Sequence, residues 1–119
     1  MNNSFDERRK HQRIYRNFIL SYYEKGQLSI GNYVSQVNNV SKGGVNFSST
    51  HPIKEGAMVT VDLRTPFISD AMHLEGVVLA CKEKIPGMIY EIRLQFQEVP
   101  QEILSVLDKI ETYSKSMEG

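Results

Sequence analysis

Between residues 17 and 99 apolar and polar positions alternate in short runs, the period of a half-buried β-strand. Phe18, Leu20 and Tyr22 alternate with Ile19, Ser21 and Tyr23 ahead of a turn at Lys25-Gly26-Gln27. A second run covers about 32–37, and the polar stretch from Asn38 to Gly44 reads as the turn after it. Val45 and Phe47 mark a third strand, stopped by Ser48-Ser49-Thr50-His51-Pro52. Past the turn at Glu55-Gly56, Val59, Val61 and Leu63 alternate with Thr60 and Asp62 until Pro66. A loop over 66–72 leads to Leu74–Cys81, apolar enough to predict a strand covered on both faces. Pro86-Gly87 is the next turn. Tyr90, Ile92, Leu94 and Phe96 then alternate with Glu91, Arg93, Gln95 and Gln97, the cleanest amphipathic strand in the chain.

After Pro100 the period changes. Ile103, Val106 or Leu107, Ile110, and Tyr113 or Ser114 fall three to four apart, which predicts a helix over about 100–116 with one apolar face. Pro100 suits a first turn, where its missing N–H would be unpaired anyway. Six short strands at roughly 8–12-residue spacing predict an antiparallel barrel or sandwich, with the helix over one face or one open end.

Composition supports one domain: 119 residues, 40% hydrophobic and 24% charged, with a formal net charge of zero. A balanced charge argues against a general binder of polyanions, and no nucleic acid is expected as a partner. The balance is uneven along the chain. Residues 1–20 carry Arg8, Arg9, Lys10, Arg13 and Arg16 against only Asp6 and Glu7, whereas residues 98–119 are acidic on balance. Residues 1–16 have no apolar period and read as a flexible, basic N-terminal arm. Cys81 is the only cysteine, so neither an internal disulfide nor a thiolate cluster can form. No signal core precedes the fold and no apolar run approaches the roughly 18–20 residues that span a bilayer, so a cytoplasmic protein is expected. His11, His51 and His73 are scattered, and neither Asp70 with His73 nor Ser41 belongs to a nucleophile motif. Neither a metal, a cofactor nor an enzymatic activity is expected.

Two stretches carry the candidate chemistry. Arg8-Arg9-Lys10-His11-Gln12-Arg13 places three guanidinium groups in six residues, and Arg9 and Arg13 fit R-x-x-x-R. A guanidinium is a planar fork of donors that matches phosphate oxygens or the O6/N7 edge of guanine, and it stacks on flat rings. About thirty residues later, Asn39-Val40-Ser41-Lys42-Gly43-Gly44 fits [D/N]-x-S-x-x-G. It offers an amide and a hydroxyl beside glycines that allow close backbone approach or positive φ.

The two motifs, in this order and each beside a strand of a six-stranded domain, resemble the PilZ domain, a bacterial receptor module for cyclic di-GMP. The resemblance spans the chain from about Arg8 through the last helix. It implies a six-stranded antiparallel β-barrel of split-barrel, Greek-key type over 17–99, a C-terminal α-helix over 100–116, and cyclic di-GMP as ligand. By the same resemblance Arg9 and Arg13 hold guanine and phosphate, Asn39 and Ser41 contact guanine, and Gly43 and Gly44 shape the pocket. Arg8, just ahead of R-x-x-x-R, stands where family members that bind two intercalated ligands carry arginine. A lone domain of this kind would act through a separate downstream protein. Two readings of other classes compete: a barrel binding single-stranded nucleic acid through the arm and Tyr22, Tyr23 or Tyr33, and an interaction module without a ligand.

Overall fold

A computed structural model of the chain describes residues 15, 17–25 and 33–118. Six strands, β1 (Ile19–Glu24), β2 (Tyr33–Val40), β3 (Gly44–Ser49), β4 (Met58–Arg64), β5 (Met72–Ile85) and β6 (Ile89–Gln97), precede one helix, α1 (Gln101–Glu118). The strands close into a barrel in the order β1-β2-β3-β6-β5-β4, every neighbour antiparallel. Closure gives each strand a neighbour on both sides, although β5 beyond Val78 pairs with β6 alone. The alternation seen in the sequence sends one set of side chains inward. Leu20, Tyr22, Val37, Val40, Val45, Phe47, Val59, Val61, Leu63, Met72, Leu74, Val78, Ile92, Leu94 and Phe96 form the core. Tyr22 lies against Phe47 with ring centroids 4.9 Å apart, and its hydroxyl shares a 2.5 Å hydrogen bond with Ser49 Oγ. That position removes Tyr22 from any role as a base-stacking platform.

α1 starts directly after Pro100, whose carbonyl accepts the amides of Ile103 and Leu104. Glu102 in the first turn and Lys115 in the last complement the helix dipole. Leu107 and Ile110 are buried in the core cluster, with Ile103 and Val106 half-buried beside them. Each buried side chain of this size contributes about 1.5–3 kcal/mol, which outweighs the few tenths available from helix propensity or the dipole. Packing therefore holds the helix in place.

Three expectations change. β2 runs on through Asn39 to Val40, so most of the expected turn over 38–44 is strand, and the connection shrinks to Ser41, Lys42 and Gly43. β5 begins at Met72 inside the expected loop, and it is not covered on both faces, since His73, Glu75 and Leu79 are exposed. Its apolar run has another cause. The register shifts between Val78 and Ala80, and this bulge leaves Leu79 and Ala80 outside the barrel before Cys81 turns back toward the core. Finally, Tyr15, which the sequence places in the arm, is buried at 2% exposure and belongs to the fold. Its hydroxyl donates to Ser114 Oγ on α1 at 3.1 Å, and its ring meets Phe18 edge-on at 5.1 Å. Phe67 and Tyr113 extend that aromatic contact from Phe18 to the helix.

Among the described residues, no helix is long and apolar enough to cross a membrane.

Candidate ligand site

The residues of the second motif are brought together by the β2–β3 hairpin. The Ser41 amide donates to the Gly44 carbonyl at 2.9 Å, closing the turn, and Ser41 Oγ accepts the Gly43 amide at 3.3 Å. The Gly43 carbonyl in turn accepts the Phe96 amide on β6 at 2.9 Å. Neither Gly43 nor Gly44 has positive φ; the described glycines that do are Gly56 and Gly87. Of the two reasons the sequence offered for a glycine pair, only close approach applies, and only at Gly44. A Cβ there would stand 2.0 Å from the Leu94 carbonyl oxygen, against 4.0 Å from Ser41 Oγ for one on Gly43. Gly44 thus lets β3 lie against β6.

Asn39, Ser41, Gly43 and Gly44 line one groove of about 600 Å³ on the outside of the barrel, within the usual size of a small-molecule pocket. Its floor is β3 and β6, and a bulge flanks it on either side. On β2 the shift between Val37 and Asn39 leaves Asn38 as an extra residue. The Asn38 amide donates to Asn46 Oδ1 at 3.0 Å and to Ser48 Oγ at 3.2 Å. Asn39 is exposed, and its side chain has no hydrogen-bond partner among the described residues. On β5 the bulge described above presents Leu79 and Ala80 to the same groove. Arg93, Lys82 and Glu91 complete the charged lining, and Glu91 is paired with Lys84 at 3.7 Å.

Asn46, Leu79 and Arg93 were not singled out from the sequence. Asn46 and Arg93 face outward on strands whose parity is legible, Leu79 lies at the bulge of a run that reads as covered on both faces, and the pairing of β6 with β3 and β5 that gathers them is not legible. Arg8, Arg9 and Arg13 lie outside the described residues. The nearest described residue to them is Tyr15, two positions after Arg13 in the chain.

The hairpin is tied to the helix. Lys42 Nζ pairs with Asp108 at 3.2 Å, and the Lys42 amide donates to Glu111 Oε2 at 3.2 Å. Lys115 holds the other oxygen of Glu111 at 3.4 Å. The hydrogen bond and charge of Asp108 push the Lys42 ammonium above its ordinary value, with Glu111 adding to the effect. The Lys42 backbone N–H, followed by Lys115, holds the Glu111 carboxyl below the usual carboxylate range despite partial burial. Surface pairs of this kind add little stability; this one fixes position. Because the folded Glu111 is the stronger acid, its contribution is present above its unfolded value and fades as pH falls through its lowered native one. The Lys42 contribution is present below its unfolded value and fades as pH rises through its raised native one. Amide-exchange protection of Lys42 should therefore hold from about pH 5 to pH 8, once intrinsic rates are divided out, and fall in stronger acid. Glu111→Gln should lower that protection at neutral pH; an unchanged value would mean that the helix does not hold the hairpin.

The hairpin of the second motif and Tyr15 consequently meet one segment of α1. Lys42 is bound at Asp108 and Glu111, and Tyr15 at Ser114, less than one turn further on.

Elsewhere on the barrel, His73 hydrogen-bonds Asp62 across β4 and β5, and the described residues contain no group of side chains that could hold a metal ion. Comparison with known proteins agrees with this architecture. A structure of Bacillus subtilis Inhibitor of motility (MotI/DgrA) is similar at a TM-score of 0.63 and 14% identity, over 83% of this chain and 46% of that one. A structure of K. pneumonia MrkH in its apo state is similar at 0.57 and 16%, over 84% and 49%. The chain thus spans less than half the length of either. At these identities the likeness is one of fold. No curated protein sequence matches the chain. The PilZ domain, however, matches residues 7–113, a span that takes in both motifs, all six strands and most of α1. The chain belongs to the PilZ domain family, a family of cyclic di-GMP receptors.

Proposed function

We propose that this domain binds cyclic di-GMP between its N-terminal arginine arm and the groove on β3 and β6, and passes the signal to a partner protein without catalysing a reaction. The observation that carries this reading is the anchoring of the hairpin and of Tyr15, two positions after Arg13, on one segment of α1. The hairpin bearing Asn39, Ser41 and Gly44 is held at Asp108 and Glu111, and Tyr15 is held at Ser114. A ligand with two phosphodiester charges and two acceptor-rich guanines suits a groove with an unpartnered amide on one side and cationic side chains on the other. The arm supplies forked donors to the ligand and closes over it. Closure changes the surface around Tyr15 and α1, where a partner can read it.

Calorimetric titration of the full chain with cyclic di-GMP tests this directly. Saturable heat is expected, together with increased protection of residues 5–16 in hydrogen exchange. No heat and no competition would favour the ligand-independent interaction module. The ligand count is set by Arg8 in this reading: an end point of two per chain in wild type and one in Arg8→Ala is expected. A wild-type end point of one would remove that role.

A further inference from the structure

The wall of the groove holds a cation that neither motif includes. Arg93 is exposed on the outer face of β6, between the inward-facing Ile92 and Leu94, and it lines the groove with Asn39 and Ser41. Among the described residues its guanidinium makes no ion pair and no hydrogen bond. The carboxylate nearest in sequence, Glu91, is committed to Lys84. Arg93 also has a defined place in the sheet. Asn39 on β2 stands opposite Asn46 on β3, Asn46 opposite Arg93 on β6, and Arg93 opposite Ala80 on β5. One rung of the barrel thus carries two amides and a guanidinium, with Asn39 and Arg93 about 10 Å apart across two strand spacings. At its far end the bulge adds Leu79, half-exposed at 50%, next to Ala80. A regular strand would turn one of two successive residues inward. Here both face the groove and form an apolar shelf beside the guanidinium.

We infer that Arg93 and the Leu79 shelf form a base-reading subsite, in which the fork of Arg93 takes the O6/N7 edge of a guanine whose face rests on Leu79. This rests on the receptor reading above and assigns it a residue outside both motifs. An apolar shelf fits the flat face of a base and offers nothing to a phosphate, whose oxygens need donors on several sides. Guanine presents two acceptors on its O6/N7 edge, whereas adenine presents a donor at N6, so a fork in this position accepts the first and rejects the second. The arginines of the arm then serve the phosphates and stack on the face of the second base, a contact that does not use N7.

The test is a coupling measurement by calorimetry on the full chain. Wild type and Arg93→Ala are each titrated with cyclic di-GMP and with its 7-deazaguanine analogue, which lacks the N7 acceptor. In wild type the analogue should bind about tenfold more weakly than the natural ligand. Arg93→Ala should weaken cyclic di-GMP by about the same factor, and should bind the two ligands equally, because the contact that distinguishes them is gone. Thermal melts of Arg93→Ala should match wild type, since the side chain lies outside the core. Two results would overturn the inference while leaving the receptor intact: wild-type affinity in Arg93→Ala, or an N7 penalty that persists in it. Failure of wild type to bind cyclic di-GMP would overturn the receptor reading and this subsite together.

Discussion

Gly44→Ala should destabilise the barrel by about 1–3 kcal/mol or more, the ordinary cost of forcing an extra carbon into a packed site. The size of the effect follows from what the new atom would meet. Its Cβ would lie 2.0 Å from the Leu94 carbonyl oxygen, 3.1 Å from the Leu94 carbonyl carbon and 3.3 Å from Gln95 Cα. All three are backbone atoms of β6, so no side-chain rotamer can relieve the overlap. Relief requires β3 to move off β6, and Gly44–Ser49 is the segment paired with β6 over Tyr90–Gln95. The Gly43 carbonyl bond to Phe96 and the Ser41–Gly44 turn bond would be strained with it. Denaturant melts should show a lower midpoint, and ligand affinity should fall because Asn39 and Ser41 no longer sit over the β3–β6 floor. Gly43→Ala is the control. It sits one residue earlier in the same motif, lacks positive φ and has open space around its Cβ, so its melt should stay close to wild type. Equal destabilisation by the two substitutions would show that the turn, and not the strand contact, demands glycine.

Much of this fold can be read from alternation alone. Tyr90–Gln97 is a strand in sequence and in structure because its neighbours on both sides leave one face wet, which keeps the polar positions polar. Leu74–Cys81 misleads for a local reason: the bulge at Leu79 puts two apolar residues on the wet face, and a continuous apolar run looks like double burial. Asn38 and Asn39 mislead the other way. Their polarity suggests a turn, yet the bulge sends both outward and lets β2 continue beneath them. The candidate site is legible to the same extent. Asn39, Ser41 and Gly44 are local in sequence and announce themselves as a motif. Asn46, Arg93 and Leu79 belong to three different strands, and only the long-range pairing of β3 with β6 and of β6 with β5 brings them to one groove. Tyr15 reads as part of the arm because residues 1–16 lack an apolar period. A single anchoring aromatic has no period to detect, and its partner Ser114 lies 99 residues away.

Arg9→Ala and Arg13→Ala should each weaken cyclic di-GMP binding by about ten- to a hundredfold, the equivalent of one charge-assisted hydrogen-bonded contact of roughly 1.5–3 kcal/mol. The expectation follows from the division of labour in the proposed site. The groove is an open surface, so its polar side chains, Asn39, Ser41, Asn46, Lys82, Arg93 and Gln95, can reach only the side of the ligand that faces the barrel. The remaining donors have to come from a segment that can close over the ligand, and the arm holds three arginines directly before Tyr15. Tyr15 is fixed to α1 through Ser114, less than one turn from where Glu111 holds the hairpin. Lysine replacements separate charge from geometry. Arg13→Lys keeps the positive charge but loses the planar fork, so it should recover only part of the affinity lost in Arg13→Ala. Full recovery would mean that the arm acts as a diffuse counter-charge, in which case binding should also weaken steeply with added salt. Wild-type affinity in either alanine variant would remove that arginine from the site. The double variant should lose less than the sum of the single losses, because two residues of one closing segment share the cost of ordering it.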